Sequence, residues 1–347
     1  MAVTMRGRGV NYDTGFIEGA MSTRRSFDAR TVRRELGVIA GELHCTAVRV
    51  SGSDLDRLVV AGEAALDAGL EVWFAPFPAN LDRAELIRHL ADAASRAEDL
   101  NAHSPGRVVL VLGCELSLFE DGFVPGDDLA ERVAFMTGAW SSELMAAFRE
   151  LPARLNSVLV EVVALARERF HGRVTYASGS WEQIDWSPFD IVGVDFYRDA
   201  QNAATYREQL RSYTAFGKPV AVTEFGCCTY RGAADRGGLG FMILDDEQLP
   251  PRLDGQYDRS EDEQVRYLDE LLPIFEAEHV DSAFWFTFAG YELPHAADPL
   301  FDLDMASYGL VKLRPPDEEP AADGFGWERK RAFAALADAY GAAIDDM

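Results

Sequence analysis

The sequence predicts a (β/α)8 TIM barrel, with eight parallel strands closed into a ring and covered by helices. Three observations carry this reading. Short apolar runs alternate with longer amphipathic stretches along the 347 residues, the pattern of a parallel sheet under helices. The apolar runs number eight, which fits a closed ring better than an open sheet. Helix-to-strand returns such as Gly172–Arg173 and Phe216–Lys218 are short, whereas three strand-to-helix connections are long, as expected when one face of a barrel is elaborated.

Taken in order, the first strand is Gly9–Asp13, where Asn11 and Asp13 either cap a turn or reach a ligand hydroxyl; the turn is the simpler task. Ala47–Ser51 is the second, with a lone arginine in an apolar run. The helix after it, Asp54–Ala68, places Leu55, Leu58, Val59, Gly62 and Leu66 on one face and stops at Gly69. Glu71–Phe77 is the third strand and Arg83–Leu100 its helix. Val108–Glu115, the fourth, is apolar up to its terminal Cys114 and Glu115. A long connection, Leu116–Leu151, leads to the helix Arg154–Phe170. Val174–Ser178, Asp190–Tyr197 and Pro219–Glu224 are the fifth, sixth and seventh strands. Another long connection, Gly226–Asp258, precedes the helix Ser260–His279, whose Ser260 and Glu263 have the spacing of a capping box. Ser282–Phe288 is the eighth strand, followed by the third long connection, Ala289–Gly326, and a last helix, Trp327–Tyr340, closing against the first. The Pro-rich acidic run Arg314–Asp323 has the composition of a linker, but too few residues follow it for a second core, so 1–347 reads as one barrel domain.

Hydrophobic residues make up 48% and charged residues 26%, enough for a sizeable core. The net charge of −25 repels phosphate backbones and anionic lipid, which excludes nucleic acid and membrane surfaces as expected partners. No apolar run approaches the roughly 20 residues that span a bilayer. No apolar stretch follows the arginines near the start in the manner of a secretory signal. Cys45, Cys114, Cys227 and Cys228 form neither a disulfide framework nor a zinc-site spacing. Together these features predict a reduced, cytoplasmic protein without metal or cofactor.

Chemistry is expected at Glu115 and Glu224, each at the end of a buried strand. Strands four and seven face each other across a barrel mouth, so these carboxylates converge there. Two carboxyls about 5–5.5 Å apart suit double displacement at a sugar carbon, one attacking while the other donates and then withdraws a proton. The plainer alternative for either residue alone is a rim ion pair.

The chain resembles the clan-A glycoside hydrolases in several segments: Ala47-Val-Arg-Val50, Asp190-Ile-Val-Gly-Val-Asp-Phe-Tyr197, Thr223-Glu-Phe-Gly226 and Phe284-Trp-Phe286. Their order and spacing fit the clan without selecting a family in it. The resemblance implies a carbohydrate substrate and a retaining hydrolase, with Glu224 as nucleophile and Glu115 as acid/base. It also implies that Arg49 and Tyr197 keep Glu224 ionised, and that Trp285 offers a flat face to the sugar. Cys114 departs from the pattern, because the clan commonly has an asparagine there that contacts the sugar 2-hydroxyl, and a thiol is a poor substitute for an amide. Trp181 and Glu182, just after the fifth strand, either face the site or lie in a solvent-facing loop.

Other readings compete. A carbohydrate-binding or biosynthetic relative would explain Cys114. A metal-dependent sugar isomerase or aldolase needs histidines at strand ends, where this sequence has none. A cysteine nucleophile needs a histidine partner, and only His295 in the last long connection could reach one.

Overall fold

The computed structural model describes residues 4–139, 141–245, 248–315 and 324–345. Eight parallel strands form a closed ring in sequence order: β1 (Gly7–Asp13), β2 (Ala47–Gly52), β3 (Glu71–Pro76), β4 (Val108–Cys114), β5 (Arg173–Gly179), β6 (Val192–Asp195), β7 (Val220–Phe225) and β8 (Ser282–Trp285). β8 pairs back onto β1, with Gly9 opposite Phe284 and Val10 opposite Trp285.

The outer helices are α1 (Ala29–Gly41), α2 (Leu55–Asp67), α3 (Arg83–His103), α4 (Ser142–Arg167), α5 (Tyr206–Tyr213), α6 (Glu261–Ala277) and α7 (Arg331–Asp345). α2 and α3 start where side chains satisfy their free N–H groups: Asp54 accepts from Asp56 N and Arg57 N, and Asp82 forms a capping box with Glu85. At α6 the predicted capping box does not form. The Ser260 side chain makes no cap bond, and the Glu263 carboxylate instead accepts from Gly232 N at 3.1 Å and pairs with Arg266. The ring is also not fully regular, because the β5–β6 connection, residues 180–191, carries no helix; Trp186 and Phe189 pack there with ring centroids 5.5 Å apart.

Side-chain alternation divides the interior in two. Ala47, Trp73, Val109, Val111, Ala177, Ile191, Ala221 and Phe284 point into the ring, while the alternate residues meet the helices in a larger outer core. This period breaks at three positions near the mouth, one of them between Ala283 and Trp285 where β8 pairs with β7. The β4–β5 register shifts between Val111 and Cys114, and the β6–β7 register shifts so that Asp195 stands opposite Glu224. Bulges of this kind re-aim the side chains that follow them.

The three long connections lie at the C-terminal end of the ring. That after β4 holds the short helices Leu116–Phe119 and Leu129–Thr137, and α4 begins twelve residues before its expected start at Arg154. The last helix is also displaced: Trp327–Arg329 is a strand, paired antiparallel with Val311–Leu313, and α7 begins at Arg331. Tyr340 of α7 donates to Gly9 O of β1 at 3.4 Å, closing the ring. Of the acidic run Arg314–Asp323, residues 316–323 lie outside the described residues.

A buried ionic cluster ties these connections together. Lys330 Nζ lies 2.8 Å from Asp304 Oδ1 and donates to Thr229 Oγ1 at 2.8 Å. Arg259 reaches Asp302 at 3.0 Å and Asp304 at 2.8 Å, and His295 Nδ1 meets Asp302 at 2.9 Å.

Candidate active site

Glu224 sits near the end of β7 with both carboxylate oxygens held. Arg49 Nη1 donates to Oε1 at 2.5 Å, and the Tyr197 hydroxyl donates to Oε2 at 2.8 Å. Arg49 is wholly buried, and β1 and β2 fix its aim: its register partner Asn11 accepts from the same Nη1 at 2.8 Å. The Asn11 amide donates in turn to Thr223 O at 3.0 Å, so Asn11 neither caps a turn nor faces a ligand; it orients the arginine. The turn belongs to Asp13, whose Oδ1 accepts from Gly15 N at 2.7 Å. Tyr197 packs on Gly238 in the connection after β7, where a Cβ would approach its ring to 3.2 Å.

Glu115 leaves β4 in a left-handed conformation with φ 43°, unusual for a residue other than glycine, and so turns away from the strand's alternation. Its carboxyl is held well above the ordinary glutamate range. Burial is the largest cause, followed by the negative charges of Asp195, Glu224 and Glu182, with Arg49 opposing. Glu182 lies on the same side of the mouth and accepts from Tyr176 Oη at 2.9 Å, Ser117 N at 3.1 Å and Gly179 N at 3.1 Å. Trp181 packs over Gly179 and donates to Ser117 Oγ at 3.0 Å. The pair therefore fastens the turn that follows Glu115.

Cys114 is almost wholly buried, and its thiol donates to Asp195 Oδ2 at 3.3 Å and lies 3.8 Å from Glu224 Oε1. Asp195 was not among the expected site residues. Burial and then the Glu224 charge push its carboxyl up to about 8. The available signal is an aspartate closing the apolar run Ile191-Val-Gly-Val194, two residues before Tyr197.

Trp285 does not offer a face to any ligand. It follows the inward-pointing Phe284, so alternation turns it outward, where it is wholly buried against Phe225 and Tyr267 with its indole N–H donating to Tyr308 O at 2.9 Å. The next inward-phase aromatic is Phe286, half-buried 5.6 Å from the Tyr308 ring, which in turn stands 5.9 Å from Tyr197. Cys227 and Cys228 are free, wholly buried thiols, and the His295 Nδ1 is engaged by Asp302.

Ligand atoms of Cys114, Asp195 and Glu224 lie within 4.8 Å of one another, a spacing that a metal ion could bridge. The donor set fits a cation poorly, because the Arg49 guanidinium already places a fixed positive charge on Glu224.

No family model matches the chain. No curated protein matches it by sequence. Solved structures do match in fold. A GH113 beta-mannanase from Alicyclobacillus acidocaldarius, in complex with ManMIm, aligns over 99% of this chain and 100% of its own, with a TM-score of 0.63 and 15% identity. A beta-glucosidase aligns over 97% of this chain and 98% of its own at a TM-score of 0.55 and 12% identity. A beta-glucuronidase from Ruminococcus gnavus aligns over 97% of this chain and 49% of its own, at 0.57 and 15%. The shared feature is the (β/α)8 barrel.

Proposed function

We propose that this chain is a retaining glycoside hydrolase, one barrel domain over 1–347, that cleaves an equatorial, β-type glycosidic bond in the cytoplasm. The observation that carries the reading is the unequal treatment of two carboxyls at one mouth. Glu224 has a guanidinium on one oxygen and a phenol on the other, the setting of an ionised nucleophile, whereas burial and neighbouring negative charge favour a proton on Glu115. The fold neighbours described as beta-mannanase, beta-glucosidase and beta-glucuronidase support a β-linked carbohydrate substrate.

In this mechanism Glu224 attacks the anomeric carbon as Glu115 passes its proton to the departing oxygen. Esterification removes the Glu224 charge, one of the causes that hold the Glu115 proton. The Glu115 carboxylate then takes a proton from water, which opens the ester with net retention. Arg49 stays in place throughout, and the charge that it balances moves from Glu224 to Glu115.

The test separates the two roles. With Glu115→Ala, an aryl glycoside with a good leaving group still glycosylates Glu224, the intermediate accumulates, and azide releases a glycosyl azide of retained configuration. With Glu224→Ala, azide gives the inverted product. Anomeric configuration by NMR reads both. Swapped products would reverse the assignments. The second reading, a non-hydrolytic carbohydrate-binding relative, draws on Cys114, whose thiol is turned into the protein. Absence of both rescue and native turnover across a broad aryl-glycoside panel would favour it.

A further inference from the structure

The short helix that follows Glu115 is capped from outside its own segment. Glu115 occupies the N-cap position of Leu116–Phe119 with φ 43° and ψ 44°, and its side chain makes no cap bond. That left-handed backbone is costly for a residue with a Cβ, and it persists only where the surroundings hold it. The first amides of a helix lack partners within it, and the N-cap side chain ordinarily accepts from one of them. Here each is satisfied by other means. Glu115 N donates to Ala177 O of β5 at 2.9 Å, and Leu118 N donates to Glu115 O at 2.8 Å. Between them, Leu116 N donates to Tyr176 Oη at 2.8 Å and Ser117 N to Glu182 Oε1 at 3.1 Å. The two acceptors are joined to each other. The Tyr176 hydroxyl donates to Glu182 Oε2 at 2.9 Å, and the same oxygen accepts from Gly179 N at 3.1 Å. Tyr176 is wholly buried and Glu182 almost so.

We propose that Tyr176 and Glu182 are a pair of positioning residues for the acid/base. By accepting from Leu116 N and Ser117 N they do the capping that would otherwise fall to the Glu115 carboxyl. They thereby hold the Glu115 backbone left-handed and leave its carboxyl free to meet the departing oxygen. Neither residue reaches a substrate. Tyr176 belongs to the outer core, opposite in phase to the inward-pointing Ala177, and both Glu182 oxygens are already engaged. The pair acts on one carboxyl of the two, because Glu224 is held by Arg49 of β2 and by Tyr197 instead. A proton donor has to lie within hydrogen-bond reach of the atom that it protonates. Loosening this cap therefore weakens the steps that use Glu115 and spares the attack by Glu224.

The inference rests on the hydrolase reading, and its test keeps the two separable. Tyr176→Phe removes the acceptor of Leu116 N without changing any charge. Glu182→Gln is the second variant, exchanging one acceptor oxygen for a donor; circular dichroism checks that each folds. The measurement is kcat/KM for aryl glycosides whose phenols span a range of acidity. The expected result is a selective loss. Glycosides of weakly acidic phenols, which need the proton, should fall about tenfold or more relative to a dinitrophenyl glycoside, which does not. A uniform fall for every leaving group overturns the proposal, since a merely structural role would do that, and so does an unchanged dependence in the folded variants. If the native protein turns over no glycoside, the hydrolase reading fails by itself, and crystal structures of the variants decide the positioning claim. Glu115 leaving the left-handed region would sustain it, and Glu115 keeping its φ and its carboxyl position would overturn it.

Discussion

Two groups of buried charge lie near the same end of this barrel, and they are built to opposite rules. Around Lys330, the cations Lys330 and Arg259 meet Asp304 and Asp302 at 2.8–3.0 Å, so each carboxylate has a cation against it. Burial pushes Asp304 up and Lys330 down, and the partner ion opposes the shift in each case. At the mouth, one guanidinium, Arg49, faces Glu224, and the acids Asp195 and Glu115 are both pushed upward, first by burial and then by neighbouring carboxylates, Glu224 among them. A matched cluster has a single favoured charge state and acts as a brace between connections. An unmatched one leaves protons that change places when any member changes charge, which is what a double displacement needs.

The comparison can be broken from either side. The largest effect is expected for Glu224→Gln, which should reduce turnover by several orders of magnitude while leaving the melting temperature close to that of the native protein, because Asp195 or Glu115 can ionise to balance Arg49. A large loss of stability would show that the mouth is braced as rigidly as the Lys330 cluster. Asp304→Asn should do the reverse. Removing one member of a buried ion pair leaves Lys330 and part of Arg259 uncompensated and costs about 3–5 kcal/mol, read by urea denaturation, with turnover per folded molecule retained. Tyr197→Phe deletes one hydrogen bond to a charged oxygen and should weaken transition-state stabilisation by about 1.5–3 kcal/mol, visible in kcat/KM.

The pH dependence of stability separates the clusters further. Because Asp195 has a folded-state affinity for protons above its unfolded one, the folded protein binds more protons than the unfolded chain between the ordinary aspartate range and about pH 8. Its contribution to stability is therefore greatest at low pH and declines as pH rises through that window. Asp195→Asn should flatten the slope between pH 5 and pH 8, measured by chemical denaturation at the two values; an unchanged slope would mean that Asp195 is ionised throughout. The smallest effect is expected at His295, one third exposed beside Asp302, where His295→Asn should alter stability by about 0–1 kcal/mol.

Much of the molecule was legible in one dimension because it depends on local pattern. Eight apolar segments, the turn chemistry between them and the carboxylates at the ends of β4 and β7 follow from periodicity and from the connectivity of a parallel ring. Arg49 was legible through the resemblance of Ala47-Val-Arg-Val50 to the clan's second strand, which implied its place beside Glu224. What failed did so where a strand's phase or a helix's start depends on partners distant in sequence. Trp285 reads as a ligand-facing aromatic until the ring fixes Phe284 as the inward residue and turns the tryptophan toward Tyr267 and Tyr308. Trp327 reads as the first turn of a helix, but its pairing with Leu313 draws it into a strand. Asp195 and Asn11 are single polar residues in apolar runs, and nothing nearby in sequence distinguishes a turn cap from a member of a charge cluster. The sequence by itself determined the barrel and the strand-end positions of Glu115 and Glu224, since both follow from alternation along the chain. Only the tertiary structure decided how the protons are shared among those acids, because desolvation and Coulomb coupling depend on distances between strands that the order of residues does not contain.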